Sequence, residues 1–232
     1  MSGNTLSLGQ QANFHAAVLK ALPRNISPQD ALSWEENGEK LTATLASALC
    51  PPAAPAAKPP TLVLIKTIAI GDVEGRRTTE CLTGNIWGYR DPNIDNWLPE
   101  LQPAQTGGPV GVYQLQKQKG VTFRDMVAAV LQVSLDTALG VLAKVLKKQG
   151  HTFTLPAVEN LVERQEAGED VGLCTDGRAN LFPVEDSDGC VSVLYTVSVG
   201  DGWRGRVYRL DDGAGWSAKN RLLLRNPVTL TL

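Results

Sequence analysis

Arg204, Arg206, Tyr208 and Arg221 are the residues best suited by type and spacing to recognise another molecule. Positions 204, 206 and 208 alternate along one predicted strand, so they share a face of it. Guanidinium groups beside a tyrosine ring can neutralise phosphates and stack on the bases of a single strand. The local charge neither forbids nor favours this. From Val171 to Asn226 there are seven Lys/Arg and seven Asp/Glu, the acids mainly at turns and the bases on strands. A basic stripe can therefore survive on a segment with no net charge.

Other candidates have simpler explanations. His15 and His151 are the only histidines. A base must lie within hydrogen-bond reach of its nucleophile, but a histidine following a long helix ordinarily satisfies backbone carbonyls. Asp91, Asn93 and Asp95 alternate like the start of a calcium loop. However, Asn96 stands where that loop needs glycine and Gln102 where it needs glutamate, so a capped turn is expected. Asp186 and Asp188 beside Glu185 read as a turn. Glu163, Glu166, Glu169 and Asp170 read as a solvated face. Phosphate-loop, dinucleotide, nucleophile-elbow and zinc-protease patterns are absent from the sequence. No catalytic residue, metal or cofactor is implied.

The chain has 232 residues, 43% hydrophobic, and a formal charge of −2. This balance points to a globular protein and argues against duplex DNA, which selects a basic surface. Met1 to Gln11 carries no Lys or Arg, unlike a signal peptide, and no apolar run is long enough to span a bilayer. Cys50, Cys81, Cys174 and Cys190 form no metal-binding pair. They read as reduced, mostly buried thiols of a cytoplasmic protein.

Four zones must position these groups. Residues 1–49 read as helical, with Ser27-Pro28 as a helix start and Leu41, Leu45 and Leu49 on one face. Residues 50–60, with five prolines and four alanines, form a semi-rigid spacer. Residues 61–150 open with the apolar run 61–70, read as a buried strand. A second strand over 77–83, a Pro/Gly loop over 101–111 and a strand over 112–115 follow. A long helix then runs from the Thr122 cap to Gly150, its apolar positions from Phe123 to Leu146 wide enough to make it the spine of the fold. Residues 151–232 begin with a short helix over 155–165. Next come four Asp-Gly pairs at 176, 188, 201 and 212, spaced by 12, 13 and 11 residues. Asp-Gly supplies the positive φ of tight hairpins, so strands 179–185, 190–199, 203–210 and 221–224 are expected to form an antiparallel meander. Its apolar face would lie on helices, with Arg204, Arg206 and Tyr208 on the other. The fold class expected is α+β: N-terminal helices, a Pro/Ala spacer, and a long central helix packed with a C-terminal antiparallel meander. Long helix, short helix and hairpin is also the order of a winged helix-turn-helix. Its recognition helix would present Glu159, Asn160, Glu163 and Arg164, a mostly acidic set that repels phosphate.

The sequence from Glu159 to Arg164, with Gly168-Glu169-Asp170, Asn180-Leu181-Phe182, Trp203, Arg206 to Leu210, Trp216 and Arg221 to Asn226, resembles a recurring group of uncharacterised hypothetical proteins from uncultured, small-genome bacteria. Tyr89-Arg90-Asp91 through Trp97-Leu98 resembles the same group. The likeness covers about half of the chain. It implies a non-secreted protein and transfers no activity and no site residues.

Three function classes follow. A non-catalytic binding or accessory protein working through protein contacts is favoured, because catalytic constellations are missing. A single-stranded nucleic-acid-binding protein using Arg204, Arg206, Tyr208 and Arg221 is the second. The third is an enzyme of unrecognised type built on carboxylates or cysteine. A membrane partner is not expected.

Overall fold

A computed structural model describes residues 60–228. The helices expected over 1–49, and all of the spacer except Pro60, lie outside the described residues. Seven strands form one mixed sheet in the order β1-β5-β9-β6-β7-β8-β3. They are β1 (Leu62–Ile70), β3 (Trp87–Arg90), β5 (Gly108–Leu115), β6 (Asn180–Glu185), β7 (Val191–Val199), β8 (Gly202–Arg209) and β9 (Arg221–Arg225). The short strands β2 (Arg76–Arg77) and β4 (Leu101–Gln102) pair separately. Helices α1 (Asn93–Trp97), α2 (Phe123–Val130), α3 (Leu139–Lys148) and α4 (Leu155–Glu166) complete the described residues, with a 3-10 turn at Thr78–Glu80.

The sheet has apolar clusters on both faces. Val110, Val112, Phe182, Leu194, Trp203 and Leu223 pack under Leu155, Val158, Leu161 and Val162 of α4. Tyr113, Leu115, Leu181, Val193, Leu222 and Leu224 pack under Met126 and Val127 of α2 and Leu142 and Leu146 of α3. Strict alternation along β5, β6 and β9 sends neighbouring apolar residues to opposite faces. Central strands therefore read as continuous apolar runs.

No long central helix exists among the described residues. After α2 the chain turns at Gln132, whose φ is +56°. Gln132 N–H donates to the Ala129 carbonyl and Val133 N–H to the Ala128 carbonyl. This pair of bonds ends a helix by satisfying its last carbonyls. Arg124 Nη2 then donates to the Leu135 and Thr137 carbonyls, tying down the connection to α3. The expected spine is two short helices laid side by side under the sheet.

The C-terminal sheet is likewise not a simple antiparallel meander. Asp188-Gly189 and Asp201-Gly202 close the β6–β7 and β7–β8 hairpins, and these strands pair antiparallel. Asp176-Gly177 instead precedes β6, and Asp212-Gly213 lies in the connection to β9. β9 inserts between β5 and β6, antiparallel to the first and parallel to the second. β3 adds parallel to β8. These non-neighbour pairings make the sheet mixed. β1, read as a buried strand, is the sheet's edge: Val63, Leu64 and Ile65 are exposed because only β5 flanks it. Residues 77–83 hold the end of β2 and the 3-10 turn rather than a strand, and β5 begins inside the expected Pro/Gly loop.

Helix α4 packs one face on the sheet. Glu159 is buried, forms an ion pair with Arg76 and accepts from Leu82 N–H at 3.2 Å. Its inward face belongs to the core, which takes Glu159 from the set, while Asn160, Glu163 and Arg164 stay outside it and Arg164 pairs with Glu169.

Candidate binding face

β8 fixes the face. Trp203 and Val207 point into the α4-side core, so Arg204, Arg206 and Tyr208 take the opposite side. Antiparallel register places Val197 opposite Arg204, Tyr195 opposite Arg206 and Val193 opposite Tyr208. Parallel register places Tyr89 of β3 beside Arg204. Arg221 does not join them. It lies on β9, three strands away in the sheet order, and alternates with Leu223 on the α4 side. Its Nη1 donates to the Gly172 carbonyl, closing a loop. Of the four sequence candidates, three share a face and the fourth is structural.

An aromatic cluster borders the arginines. Tyr195 and Trp216 stack at 5.4 Å with planes 28° apart. Tyr208 meets both edge-on, at 6.2 Å from Tyr195 and 6.3 Å from Trp216. Trp216 is brought there by backbone bonds to Val121 in both directions. These rings are half-buried. At the outer edge Arg206 is exposed, with its guanidinium 5.3 Å from the centroid of the Tyr89 ring. Such a cation over a tyrosine face is stabilised by the ring quadrupole. The Tyr208 hydroxyl, hydrogen-bonded to Arg206, holds the guanidinium above its ordinary value. Burial, with Tyr208 beside it, raises Tyr195. Arg204 donates to both carboxylate oxygens of Asp201, at 2.9 and 3.1 Å, which cancels its charge locally. No carboxylate pairs with Arg206 among the described residues.

Close backbone packing puts Tyr89 there. A Cβ on Gly202 would sit 2.7 Å from the Ile86 carbonyl oxygen, and one on Gly88 2.7 Å from that of Asp201. Gly202 also has φ +116°. We expect Gly202→Ala to lower stability by about 2 kcal/mol. It should also raise amide exchange across β3, measured by mass spectrometry, because the added methyl drives β3 off β8. Unchanged exchange at Trp87–Arg90 would contradict this role.

The remaining candidates are engaged elsewhere. His151 is buried between the Arg225 carbonyl at 2.6 Å and Gln149 Oε1 at 2.7 Å. Asp91 Oδ1 accepts from Asn93 N–H, and Asp95 pairs with Arg90, which holds its carboxyl below the ordinary range. Glu185 pairs with Lys147 at 3.3 Å. Among the described residues no cluster of His, Cys, Asp or Glu could hold a metal ion. Cys81 and Cys174 are buried free thiols raised by desolvation. Cys190 departs from the expectation of burial: it is an exposed free thiol.

The sequence pattern assigns no binding role to Tyr89, Tyr195 or Trp216. Tyr195 alternates with Val191 and Val193 and reads as core. Tyr89 joins the face only through a parallel pairing that nothing local announces. The chain matches no known protein family, no curated protein and no solved structure. Among the described residues no helix is long and apolar enough to cross a membrane.

Proposed function

We propose that this chain is a non-catalytic binding protein of the cytoplasm that works through protein contacts, and that the Arg206–Tyr89 face is where its partner docks. One observation carries the reading: an exposed guanidinium with no carboxylate partner among the described residues, seated on an exposed tyrosine at the border of a half-buried aromatic cluster. Tyrosine, tryptophan and arginine are the side chains that most often anchor protein interfaces. The free thiols Cys81, Cys174 and Cys190 suit a reducing compartment.

Single-stranded nucleic acid is the second reading, favoured by Arg204, Arg206 and Tyr208 lying on one face. Two features weigh against it. The Tyr195, Tyr208 and Trp216 rings occupy one another, and Arg206 covers Tyr89, leaving few ring faces for bases. The Arg204 charge is also taken by Asp201.

The test compares native co-purification of the full-length protein with that of a Tyr89→Ala/Arg206→Ala variant and a Lys119→Ala control, by quantitative mass spectrometry. A protein retained by wild type and control but lost by the double variant supports the proposal. Salt-dependent retention on a thymidine oligonucleotide, lost in the same variant, would replace it with the second reading.

A further inference from the structure

An aspartate followed by glycine can react with its own backbone, because glycine has no Cβ to shield its amide nitrogen. The chain carries four such pairs, beginning at 176, 188, 201 and 212. The reaction needs a carboxyl free to turn and a glycine nitrogen free to meet it. The partners of those two groups therefore decide which pair can react, and the fold treats the four unequally.

Three pairs are held. Asp201 accepts from Arg204 through both carboxylate oxygens, at 2.9 and 3.1 Å, and Gly202 packs against the Ile86 carbonyl. Gly189 is pinned at both ends: its N–H donates to the Asp186 carbonyl at 3.1 Å, and its carbonyl accepts from Lys147 Nζ at 2.9 Å. Asp176 forms an ion pair with Arg178. The fourth pair differs. Asp212 and Gly213 are both exposed. Among the described residues no cation pairs with Asp212, and no hydrogen bond engages the Gly213 N–H. A Cβ on Gly213 would meet nothing within 4 Å, so the peptide has room to rotate. Asp212 Oδ1 accepts from Ala214 N–H at 2.8 Å, which folds the carboxyl back along the Asp212–Gly213 peptide.

The position of this pair gives its chemistry a structural consequence. It lies in the connection from β8 to β9, shortly before Trp216. Trp216 N–H donates to the Val121 carbonyl at 2.8 Å, and Val121 N–H donates to the Trp216 carbonyl at 3.1 Å. Those bonds seat the indole on Tyr195. Next to them a Cβ on Gly215 would lie 2.7 Å from the Gly120 Cα, so the two backbones touch. A change in main-chain length just upstream has no slack to absorb it there.

We infer that Asp212 is a site of spontaneous aspartyl isomerisation in the folded protein, and that the product loosens the Trp216–Val121 contact. The Gly213 backbone nitrogen attacks Cγ of Asp212 in its carboxylic-acid form. A new N–Cγ bond closes a succinimide ring, and one water leaves, made from the carboxyl OH and the amide hydrogen. Water then adds back. Opening at Cγ restores aspartate. Opening at the α-carbonyl breaks the original amide bond and leaves the chain running through Cβ and Cγ, one atom longer, with the former α-carboxyl as the side chain. Water is the only other reactant, and nothing is oxidised or reduced.

The test incubates the full-length protein for weeks in mildly acidic buffer, native and in guanidinium chloride. Electron-transfer fragmentation of its proteolytic peptides then locates each β-aspartyl residue. In the native protein Asp212 should isomerise about fivefold or more faster than Asp176, Asp188 or Asp201, a factor that one broken hydrogen bond supplies. In denaturant the four rates should converge. Gly213→Ala, whose methyl enters open space, should suppress the reaction at Asp212 with the fold intact. Arg178→Gln should raise the rate at Asp176. Equal native rates at the four pairs, or a lead for another pair, would overturn the assignment. So would an equal lead for Asp212 in denaturant, which would place the preference in the neighbouring sequence rather than in the fold. Amide exchange at Val121 and Trp216 should rise in the isomerised fraction, and unchanged exchange there would overturn the link to Trp216.

Discussion

Trp203→Ala is expected to lower stability by about 3–5 kcal/mol, the range for removing a large aromatic from a packed core. Trp203 is 1% exposed and lies in the cluster under α4. Its backbone N–H donates to the Ile86 carbonyl at 2.7 Å, and its Nε1 donates to Glu166 Oε1 at 2.7 Å. The cavity should dominate, because Glu166 is exposed and water replaces the lost indole bond. Trp203→Phe separates the two contributions. It keeps most of the volume and should cost only about 1–2 kcal/mol. Urea midpoints followed by far-ultraviolet circular dichroism provide the measurement. Equal losses for Phe and Ala would show that the hydrogen bond, not the packing, is what matters.

Asp186→Ala should cost about 3 kcal/mol, by a different route. The Asp186 side chain is 1% exposed and organises the β6–β7 turn. One oxygen accepts from Asp188 N–H at 3.2 Å and Cys190 N–H at 2.8 Å. The other accepts from Ser192 Oγ at 3.2 Å and Arg209 Nη1 at 2.9 Å. Removing the carboxylate strands the fully buried Ser192 hydroxyl and frees the turn amides. Arg209 suffers less, because it is 41% exposed and stacks on Trp97 at 4.5 Å. Asp186→Asn keeps the acceptor oxygen for the turn amides and loses the charge, so about half of the effect should remain. A similar urea midpoint for Asn and Ala would place the effect in the ion pair rather than in the turn.

These two residues also show what a sequence can disclose. Asp186 lies within Asp-Ser-Asp-Gly, a local turn signal, and the hairpin at 188–189 forms where that signal stands. The alternation of Trp203, Gly205 and Val207 against Arg204, Arg206 and Tyr208 is equally local, and it sorts the two faces of β8. What escaped depends on distant partners. The insertion of β9 between β5 and β6, and the parallel docking of β3 on β8, are settled by packing across more than a hundred residues for the latter pair. That docking is what brings Tyr89 under Arg206. The break after α2 escaped for another reason. Its left-handed residue is Gln132, and no glycine or proline marks the stop. The apolar run of β1 suggested burial, yet a strand with one neighbour leaves Val63, Leu64 and Ile65 open. Arg221 matched its companions in residue type, but position in the sheet assigns it to the opposite face.

The docking role of the Arg206–Tyr89 face is tested most directly by the dissociation constant of the protein that co-purifies with wild type, measured for wild type and for Tyr89→Ala/Arg206→Ala. Loss of two exposed anchors should weaken that complex about thirtyfold or more, equivalent to about 2 kcal/mol, while the urea midpoint stays within about 0.5 kcal/mol of wild type. An unchanged dissociation constant with the fold intact would contradict the account.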